Sequence, residues 1–338
     1  CPQCGARAKD AWLQARLAEV LPVPYAHLVF TLPHSLNALY GAHPRWVIDT
    51  LFAATAQTLT AFAANPKWIG GAGSAGGAMP AFSLVLHTWT QDLRRHLHVH
   101  AVVACGALDD QGQWQRPNRK PDFLFPVHAL SAVFCGKFMA ALQAAHRDGQ
   151  LDGDPDGEDA AWGARQKALY RHPWVVYAKT PMGGPARVLE YLGRYTHRTA
   201  ISNERIRAID AREVVLSVRA DAKGGKRRVR IEGEEFVRRF LLHVLPTGIK
   251  RIRHYGVLAA ACKTARLAAA RQALAMPVPN PGAVESATDF MRRVAKIDVL
   301  RCPCCAAGRL KVVQTLSGLR RLPAPGACVQ VVACRGPP

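Results

Sequence analysis

The sequence predicts an α+β fold, with helices packed on an antiparallel sheet, and three observations support this. A chain of 338 residues that is 49% hydrophobic can bury at least one sizeable core. Residues 81–89 and 97–104 alternate apolar and polar side chains with a period of two, as neighbouring strands do. Residues 44–64 are rich in alanine and repeat their apolar positions with the longer period of an amphipathic helix.

The other elements are predicted in order along the chain. Further strands are expected at residues 27–32, 174–179, 213–219 and 226–231, the last two forming a hairpin. Further helices are expected at residues 11–19, 131–146, 185–196, 236–244 and 258–274. Residues 148–159 are acidic and glycine-rich and predict a surface loop, while residues 277–281 predict a linker.

The charge of the chain indicates a polyanionic partner. The formal net charge is +21, and residues 181–271 alone hold 20 Lys and Arg against 8 Asp and Glu. Such a concentrated excess is what a surface that follows a phosphate backbone requires. Nucleic acid is therefore the expected partner.

The composition also predicts the compartment. No apolar run reaches the roughly 18 residues that cross a bilayer, and no secretory signal opens the chain. Ten cysteines, several of them close together, favour metal binding in a reducing compartment over a disulfide framework. We expect a cytoplasmic, nucleoid-associated protein with no membrane partner.

A run of histidines predicts a metal site. In His96-Leu-His-Val-His100, a strand places all three imidazoles on one face, and residues two apart can bind one ion. Imidazole suits Mn, Zn and Fe, and Mg becomes suitable when phosphate oxygens complete the shell. His87 is the first choice for a third ligand because paired strands would bring it alongside His98, and His34 is the alternative.

Two tyrosines predict a nucleophile. Tyr191 and Tyr195 are four residues apart, which places both phenols on one face of a helix. Arg187, Arg194 and Arg198 surround them, so the phenols are expected to face an anionic substrate. A phenol titrates near pH 10, and a nearby cation helps it to attack phosphorus at neutral pH.

These segments together resemble the two-tyrosine HUH endonucleases, and among them the rolling-circle insertion-sequence transposases that have an N-terminal zinc-binding segment. The resemblance spans residues 1–274 and rests on the order and spacing of several motifs. They are Val29-Phe-Thr-Leu-Pro-His34, Leu86-His-Thr-Trp89, His96-Leu-His-Val-His100, Trp174-Val-Val-Tyr-Ala-Lys179, Tyr191-Leu-Gly-Arg-Tyr-Thr-His-Arg198, Ala200-Ile-Ser-Asn203, His243-Val-Leu-Pro246 and Arg251-Ile-Arg-His-Tyr-Gly256.

The resemblance implies an HUH-type sheet, with His98 and His100 as the paired metal ligands and Tyr191 and Tyr195 as the nucleophiles. It implies a Mg or Mn ion and single-stranded DNA at transposon ends and target as substrate. Enzymes of this class nick one strand, keep a 5′-phosphotyrosine link and release a 3′-hydroxyl that later reverses the reaction. Bond energy is conserved, so no nucleotide cofactor is expected.

The same resemblance divides the chain into three parts. Residues 1–24 would be the remnant of a zinc-binding segment, residues 25–275 the catalytic domain, and residues 276–338 a linker and cysteine-containing tail. Cys1 and Cys4 alone cannot fill a tetrahedral zinc site, so we expect a partial site in a truncated copy. Cys302 and Cys305 have knuckle spacing and could complete a second structural zinc site with Cys328 and Cys334.

Phosphate contacts are expected from basic side chains near the tyrosines and on the basic hairpin strand. These are Lys179, Arg194, Arg198, Lys226, Arg227, Arg228 and Arg230. Two alternatives remain open at the level of sequence. One is an inactive, truncated DNA-binding remnant, and the other is a plasmid-type replication initiator or relaxase with the same chemistry.

Overall fold

A computed structural model describes residues 15–17, 19–70, 77–118, 124–154, 159–182, 200–220, 225–277, 285–305, 307–311 and 313–314. The chain divides into two compact units, Cys1–Pro281 and Gly282–Pro338. The first unit holds the histidine strand and the basic hairpin, and the second holds Cys302 and Cys305.

Within the described residues of the first unit, six strands form one antiparallel sheet. They are β1 (Tyr25–Thr31), β2 (Met79–Trp89), β3 (Arg95–Leu108), β4 (Trp114–Gln115), β5 (Val176–Met182) and β9 (Ile252–Gly256). The order across the sheet is β5, β1, β3, β2, β9, and β4 pairs with the end of β3. β3 is therefore central, hydrogen-bonded to β1 on one side and to β2 on the other.

Helices cover one face of this sheet and form the larger core. They are α1 (Asn37–Ala42), α2 (Pro44–Ala63), α3 (Val127–Arg147) and α4 (Asp159–Arg171), with a short 3-10 turn at His34–Leu36. Phe30 of β1 and Phe134 of α3 meet edge to face, with ring centroids 5.2 Å apart, and both are fully buried. Each such side chain contributes about 1.5–3 kcal/mol through burial, so this face anchors β1 and β3.

The opposite face of the sheet is apolar at one end only. There Val85, Val102 and Ala104 form a second buried cluster with Leu267 of α6 (Lys263–Ala273). The other end of the same face carries the histidines of β2 and β3, because side chains alternate strictly along each strand.

A second, smaller sheet has its own core. Its strands are β6 (Ile206–Ile209), β7 (Glu213–Arg219) and β8 (Lys226–Glu232), followed by α5 (Gly233–Leu241), with a 3-10 turn at Asn203–Arg205 before them. Leu93, from the turn between β2 and β3, is fully buried in this core together with Leu216 and Ile231.

The second unit contains one helix among its described residues, α7 (Ala287–Ala295). The Ser286 side chain accepts a hydrogen bond from the Asp289 amide and so caps the first turn. Residues 300–302 then pair with residues 308–310, and the knuckle cysteines lie at this pairing.

The predicted α+β class with an antiparallel sheet is confirmed. The structure contains the expected strands β1, β2, β3 and β5, the hairpin β7–β8, and helices α2 and α3, with bounds shifted by a few residues. Leu97, Val99, Ala101 and Val103 face the core, as the alternation in β3 predicts. The helix predicted at residues 185–196 lies outside the described residues.

Some sequence expectations were wrong. β9 lies where only a basic segment was expected, and α6 begins at Lys263, not at residue 258. Residues 160–171, which carried no assignment, lie in α4, and this helix begins at Asp159, the last residue of the predicted loop. Asp154, in the segment predicted to be a surface loop, is buried and pairs with Arg165 of α4, whose Nη2 lies 2.8 Å from Asp154 Oδ1. A buried carboxylate needs such a partner, which explains why this segment is held down.

Among the described residues, α3 is long and apolar enough to cross a membrane by length and composition alone. Lys137 interrupts its apolar residues, so it is not an unbroken apolar run. In this structure, α3 buries Leu130, Phe134, Phe138 and Leu142 against the sheet, as core helices of water-soluble domains do.

Candidate functional site

Three histidines on the central hairpin of the large sheet converge on one point. His98 and His100 alternate with the buried Val99 on β3, so both imidazoles leave the same face. His87 on β2 is the direct cross-strand partner of His98, as the sequence spacing predicted. One ligand atom from each of the three lies within 4.8 Å of the others, and this is the one such group among the described residues.

Burial keeps these imidazoles neutral. Desolvation lowers the pKa of His98 to about 4, and it lowers the pKa of both His87 and His100 well below the ordinary value of histidine. A neutral imidazole has a free lone pair, which is the form that binds a metal ion. The donor set of three neutral nitrogens on one face therefore fits a divalent transition ion.

Hydrogen bonds orient two of the three rings. His98 Nδ1 lies 2.9 Å from the backbone oxygen of His96, so Nδ1 donates and Nε2 carries the lone pair. His100 Nδ1 lies 2.9 Å from Nε2 of His27 on β1. When His100 presents its Nε2 lone pair to an ion, its Nδ1–H donates to His27.

His27 was missed by sequence reasoning, although a signal for it existed. It lies on β1 in alternation with Leu28, which faces the core, so the strand predicted there already turned His27 to the histidine face. It is 2% exposed, and burial lowers its pKa to about 4, so it too is neutral.

His34 and His96 form a separate pair at the edge of the group. Their ring centroids are 5.1 Å apart, and His96 is in turn 4.9 Å from the ring of His98. The three converging ligand atoms do not include His34, the alternative third ligand. His96 remains a neighbour whose backbone, through its oxygen, orients His98.

Cations flank the histidines on both sides. Lys179 on β5 is exposed and pairs in register with His27, and its charge helps to lower the pKa of both His27 and His100. On the other side, the guanidinium of Arg251 lies 5.4 Å from the ring centroid of Trp89, and its charge contributes to lowering the pKa of His87. A negatively charged substrate would therefore find positive charge around the site.

The small sheet is attached to the turn that joins β2 to β3. Arg205 donates to the backbone oxygen of Gln91, and the amide of Arg219 donates to Gln91 Oε1 at 2.6 Å. Arg239 of α5 donates to the backbone oxygen of Asp92 at 3.1 Å. Residues 90–94 are thus held by strands and helix of the small sheet.

A buried histidine strengthens the same junction. His243 is fully buried, with Nε2 3.0 Å from the Leu93 oxygen and Nδ1 3.1 Å from Thr88 Oγ1. Leu93 adopts a left-handed backbone with φ of 63°, which is costly for leucine and persists where packing imposes it. The β2–β3 hairpin and the small sheet are therefore joined through His243 and Leu93, both of which are buried.

The open face of the small sheet is basic. Arg228 and Arg230 on β8 alternate with Val229 and the buried Ile231, and both arginines are exposed. Lys226 stands opposite Arg219 at the end of β7, which adds charge at the same edge. Arg227 falls on the other side by alternation and is also exposed. One arginine, Arg230, is paired at 3.3 Å with Glu213.

Several predicted site residues lie outside the described residues. They are Tyr191, Tyr195, Arg194, Arg198, Cys1 and Cys4. Cys302 and Cys305 are described and lie together in the turn of the second unit.

Comparison with known proteins decides the family. A family model described as "Putative transposase" matches residues 81–266, more than half of the chain. The chain belongs to this transposase family. A second family model, described as "Transposase zinc-binding domain", matches residues 1–32 of the transposase. The resemblance inferred from the sequence motifs, to insertion-sequence transposases with a zinc-binding segment, is thereby confirmed.

Two relatives extend the match over nearly the whole transposase. The "Putative transposase y4qJ" of Sinorhizobium fredii is 38% identical over 94% of this chain and 80% of its own length. The "Transposase for insertion sequence element IS801" of Pseudomonas savastanoi pv. phaseolicola is 26% identical over 94% of this chain and 74% of its own. Conjugative relaxase TrwC in complex with oriT DNA aligns over 73% of this chain and 72% of its own at 14% identity, and the TM-score of 0.29 is too low to carry an argument.

Proposed function

We propose that this transposase nicks and rejoins single-stranded DNA in rolling-circle transposition, with a divalent ion at His87, His98 and His100. The observation that carries the proposal is the convergence of these three imidazoles, with ligand atoms within 4.8 Å of one another, on the face of the central hairpin. DNA at the transposon ends and at the target is the proposed substrate.

A bound divalent ion would polarise a phosphoryl oxygen and so favour attack on phosphorus. The protein contributes the rest. Burial keeps the three imidazoles neutral, His27 and the His96 backbone orient them, and Lys179 supplies positive charge at the rim. Preorganised positive charge of this kind stabilises the charge that develops on the phosphoryl oxygens.

Three imidazole nitrogens discriminate between metals. Mg²⁺ prefers oxygen ligands, whereas Mn²⁺ and later first-row ions accept nitrogen readily. Of the two ions expected from the sequence, we therefore propose Mn²⁺ as the better cofactor. Mg²⁺ should support the reaction only with the oxygens of bound DNA in its shell.

Tyr191 and Tyr195 are the proposed nucleophiles. The phenol oxygen forms a bond to phosphorus while the bond from phosphorus to the 3′-oxygen breaks, and that oxygen leaves with a proton as a 3′-hydroxyl. The 5′-phosphotyrosine retains the bond energy, so the reverse attack by a 3′-hydroxyl rejoins a strand without a nucleotide cofactor. A second tyrosine permits cleavage of the target while the first link is still in place.

The basic face of the small sheet is the proposed DNA-holding surface, through Lys226, Arg228 and Arg230, with Arg227 beside them. Its attachment to residues 90–94 supports this proposal, because DNA held there keeps a defined position relative to β2 and β3. Phosphate contacts of this kind position the strand without reading its sequence.

The test is covalent capture of a single-stranded oligonucleotide from an end of the element, labelled at its 3′ end. The expected result with Mn²⁺ is a labelled protein band in denaturing gels, because the 5′ side of the labelled fragment stays on the tyrosine. The variant with Tyr191→Phe and Tyr195→Phe should lose the band, as should the variant with His98→Ala and His100→Ala.

Two other tyrosines make matched controls. Tyr170 on α4 is exposed, and Tyr170→Phe should leave the adduct unchanged. Tyr177 on β5 pairs in register with Val29, on the side of the sheet that carries Lys179, and Tyr177→Phe should also retain the adduct. Loss of the band in Tyr177→Phe with retention in the double tyrosine variant would move the nucleophile to residue 177. If the protein binds the oligonucleotide but forms no adduct with any divalent metal ion tested, it is an inactive DNA-binding remnant.

A further inference from the structure

The turn at residues 300–310 of the second unit brings three cysteines together at its tip. The amide of Leu310 donates to the oxygen of Leu300 at 2.7 Å, and the amide of Cys302 donates to the oxygen of Gly308 at 2.9 Å. Arg301 and Arg309 form an isolated bridge between the same arms. Cys302, Cys304 and Cys305 lie between these closures.

The backbone wraps closely around two of the sulfurs. The amide of Gly308 lies 3.3 Å from Cys305 Sγ and donates to it. A Cβ at position 308 would lie 3.2 Å from Cys305 Sγ and 3.5 Å from the Cys302 Cβ, so a side chain would crowd the sulfur cradle. Backbone hydrogen bonds from Cys305 and Cys304 lower the pKa of the Cys302 thiol. Donors aimed at sulfur favour the thiolate, which is the form that binds metal.

The described residues of the second unit bury little apolar surface. Among its described residues, Phe290 is the one buried apolar side chain. Leu310 and Val313 are exposed by 51% and 94%. Its ion pairs join exposed arginines to half-buried or exposed carboxylates, such as Arg309 to Asp298 at 3.5 Å, and surface pairs of this kind contribute about 0–1 kcal/mol each. Small units that bury little apolar surface gain stability from a disulfide or a bound metal ion.

We propose that Cys302 and Cys305 supply two thiolate ligands of a structural zinc ion, and that this ion stabilises the unit Gly282–Pro338. The two residues have the spacing of a zinc knuckle, and each releases its thiol proton when it binds. The Cys304 side chain also hydrogen-bonds to Cys302, but the two-residue gap of a knuckle selects Cys302 and Cys305 as the ligands and leaves Cys304 out. The unit's sequence contains two further cysteines, Cys328 and Cys334, outside the described residues.

This zinc site is independent of the strand-transfer proposal and of the zinc-binding match at residues 1–32. A metal at the histidine group depends on nitrogen ligands of the other unit, so loss of either site leaves the other testable. The two proposals can therefore fail separately.

The experiment measures zinc per chain in the full-length protein, purified under reducing conditions and dialysed against metal-free buffer. The double variant Cys302→Ser, Cys305→Ser should lose one equivalent of zinc relative to the unchanged protein. Cys304→Ser, in the same turn, is the matched control and should retain it. An unchanged zinc content in the double variant would overturn the site, as would an equal loss in Cys304→Ser.

A second measurement separates ligation from misfolding. Cys302→His replaces one zinc ligand by another and should retain the equivalent that Cys302→Ser loses. With cobalt in place of zinc, the unchanged protein should show sulfur-to-cobalt charge-transfer absorption that weakens in Cys302→His and remains unchanged in Cys304→Ser. Zinc-free protein containing a Cys302–Cys305 disulfide, detected by mass spectrometry of the unreduced chain, would overturn the proposal in favour of a redox pair.

Discussion

The contact between His27 and His100 gives the proposed metal site an orienting residue behind one of its ligands. His27 Nε2 lies 2.9 Å from His100 Nδ1, and their rings stack with an interplanar angle of 6°. When His27 Nε2 accepts this bond, the proton lies on His100 Nδ1, so His100 presents the lone pair of Nε2 and the plane of its ring is fixed. Partners of metal-bound histidines typically change metal affinity by about 10–100-fold when removed.

His27→Phe should therefore weaken Mn²⁺ binding by about 10–100-fold, because phenylalanine keeps the ring but not the acceptor. The measurement is calorimetric titration of metal into the protein, together with the adduct assay at saturating Mn²⁺, where the yield should recover. His128→Phe, at an exposed position of α3, is the control. An unchanged metal affinity in His27→Phe would assign His27 to packing alone.

His254 offers a test of charge at the residue scale. Burial lowers its pKa to about 4, and Ser83 Oγ lies 2.7 Å from its Nδ1 while Arg16 Nη1 lies 3.2 Å from its Nε2. The charges of Arg16 and Lys263 lower this pKa further, whereas Glu19 opposes them. At a pH between this pKa and the ordinary pKa of histidine, His254 is therefore neutral in the folded state and protonated in the unfolded chain.

Between about pH 6.5 and pH 4, the unfolded state binds the extra proton, so this contribution to stability is present above pH 6.5 and is lost as the pH falls. In His254→Asn, the free energy of unfolding should fall less steeply across that window, by up to about 1.4 kcal/mol per pH unit. Urea unfolding at pH 7, 6 and 5 measures the difference. Parallel curves for both proteins would show that His254 is not protonated on unfolding in this range.

At the scale of elements, two glycines lie in opposite surroundings. One is needed because a side chain would clash with the paired strand, and the other lies in a helix with room for a side chain. Gly256 ends β9 with φ of 61°, and a Cβ there would lie 1.7 Å from the oxygen of Pro80 on the paired strand. Gly136 lies in α3, and a Cβ there would meet nothing within 4 Å. The same substitution should therefore act in opposite directions at the two positions.

Gly256→Ala should destabilise the fold by more than about 2 kcal/mol, because β9 must move away from β2. Gly136→Ala should stabilise it by about 0.5–1 kcal/mol, since alanine loses less entropy in a helix. Thermal unfolding of both variants against the unchanged protein measures the two shifts. A Tm for Gly256→Ala equal to that of the unchanged protein would mean that β9 is not held against β2 as described.

The sequence predicts an element best when the pattern that identifies it lies within the element itself. β2 and β3 carry strict alternation over many residues, and for that reason the pairing of His87 with His98 could be predicted from spacing. β9 has five residues with arginine and histidine among them, and its identity as a strand depends on hydrogen bonds to β2 that no local pattern encodes. Propensity is a weak guide for such short, tertiary-held segments.

The candidate site was predictable only in part for the same reason. His98 and His100 share a strand, so their common face follows from the period of two. His27 meets His100 across the β1–β3 pairing, 73 residues away in sequence. Likewise, the local sequence around Asp154 predicts a polar loop, and its burial depends on the pairing with Arg165 of α4. Long-range partners decide these roles, and a single sequence does not show them.

At the scale of the whole molecule, the net charge of +21 predicts that the affinity for single-stranded DNA falls as the salt concentration rises. The variant Arg228→Ala, Arg230→Ala removes two exposed guanidinium groups from the open face of the small sheet. If both contact phosphates, the slope of log affinity for single-stranded DNA against log salt should fall by about 1–2. Fluorescence anisotropy of a labelled oligonucleotide from 50 to about 300 mM salt measures that slope.

Lys167→Ala, Arg171→Ala is the matched control, because it removes the same charge from exposed positions of α4. Its slope should stay close to that of the unchanged protein. Equal losses in both double variants would show that total charge, not the small sheet, determines DNA binding. This measurement does not depend on strand cleavage, so it stands even if no adduct forms.

Residues 90–94 take part in both the large sheet and the small sheet. They close the hairpin that carries His87 and His98, and Leu93 among them fills the core of the small sheet. A designer who wished to give this transposase the small sheet of a relative would have to transplant this turn along with it. The two parts are therefore expected to be inherited together when such genes recombine, and a crossover between them should yield a chain in which Leu93 faces a mismatched core.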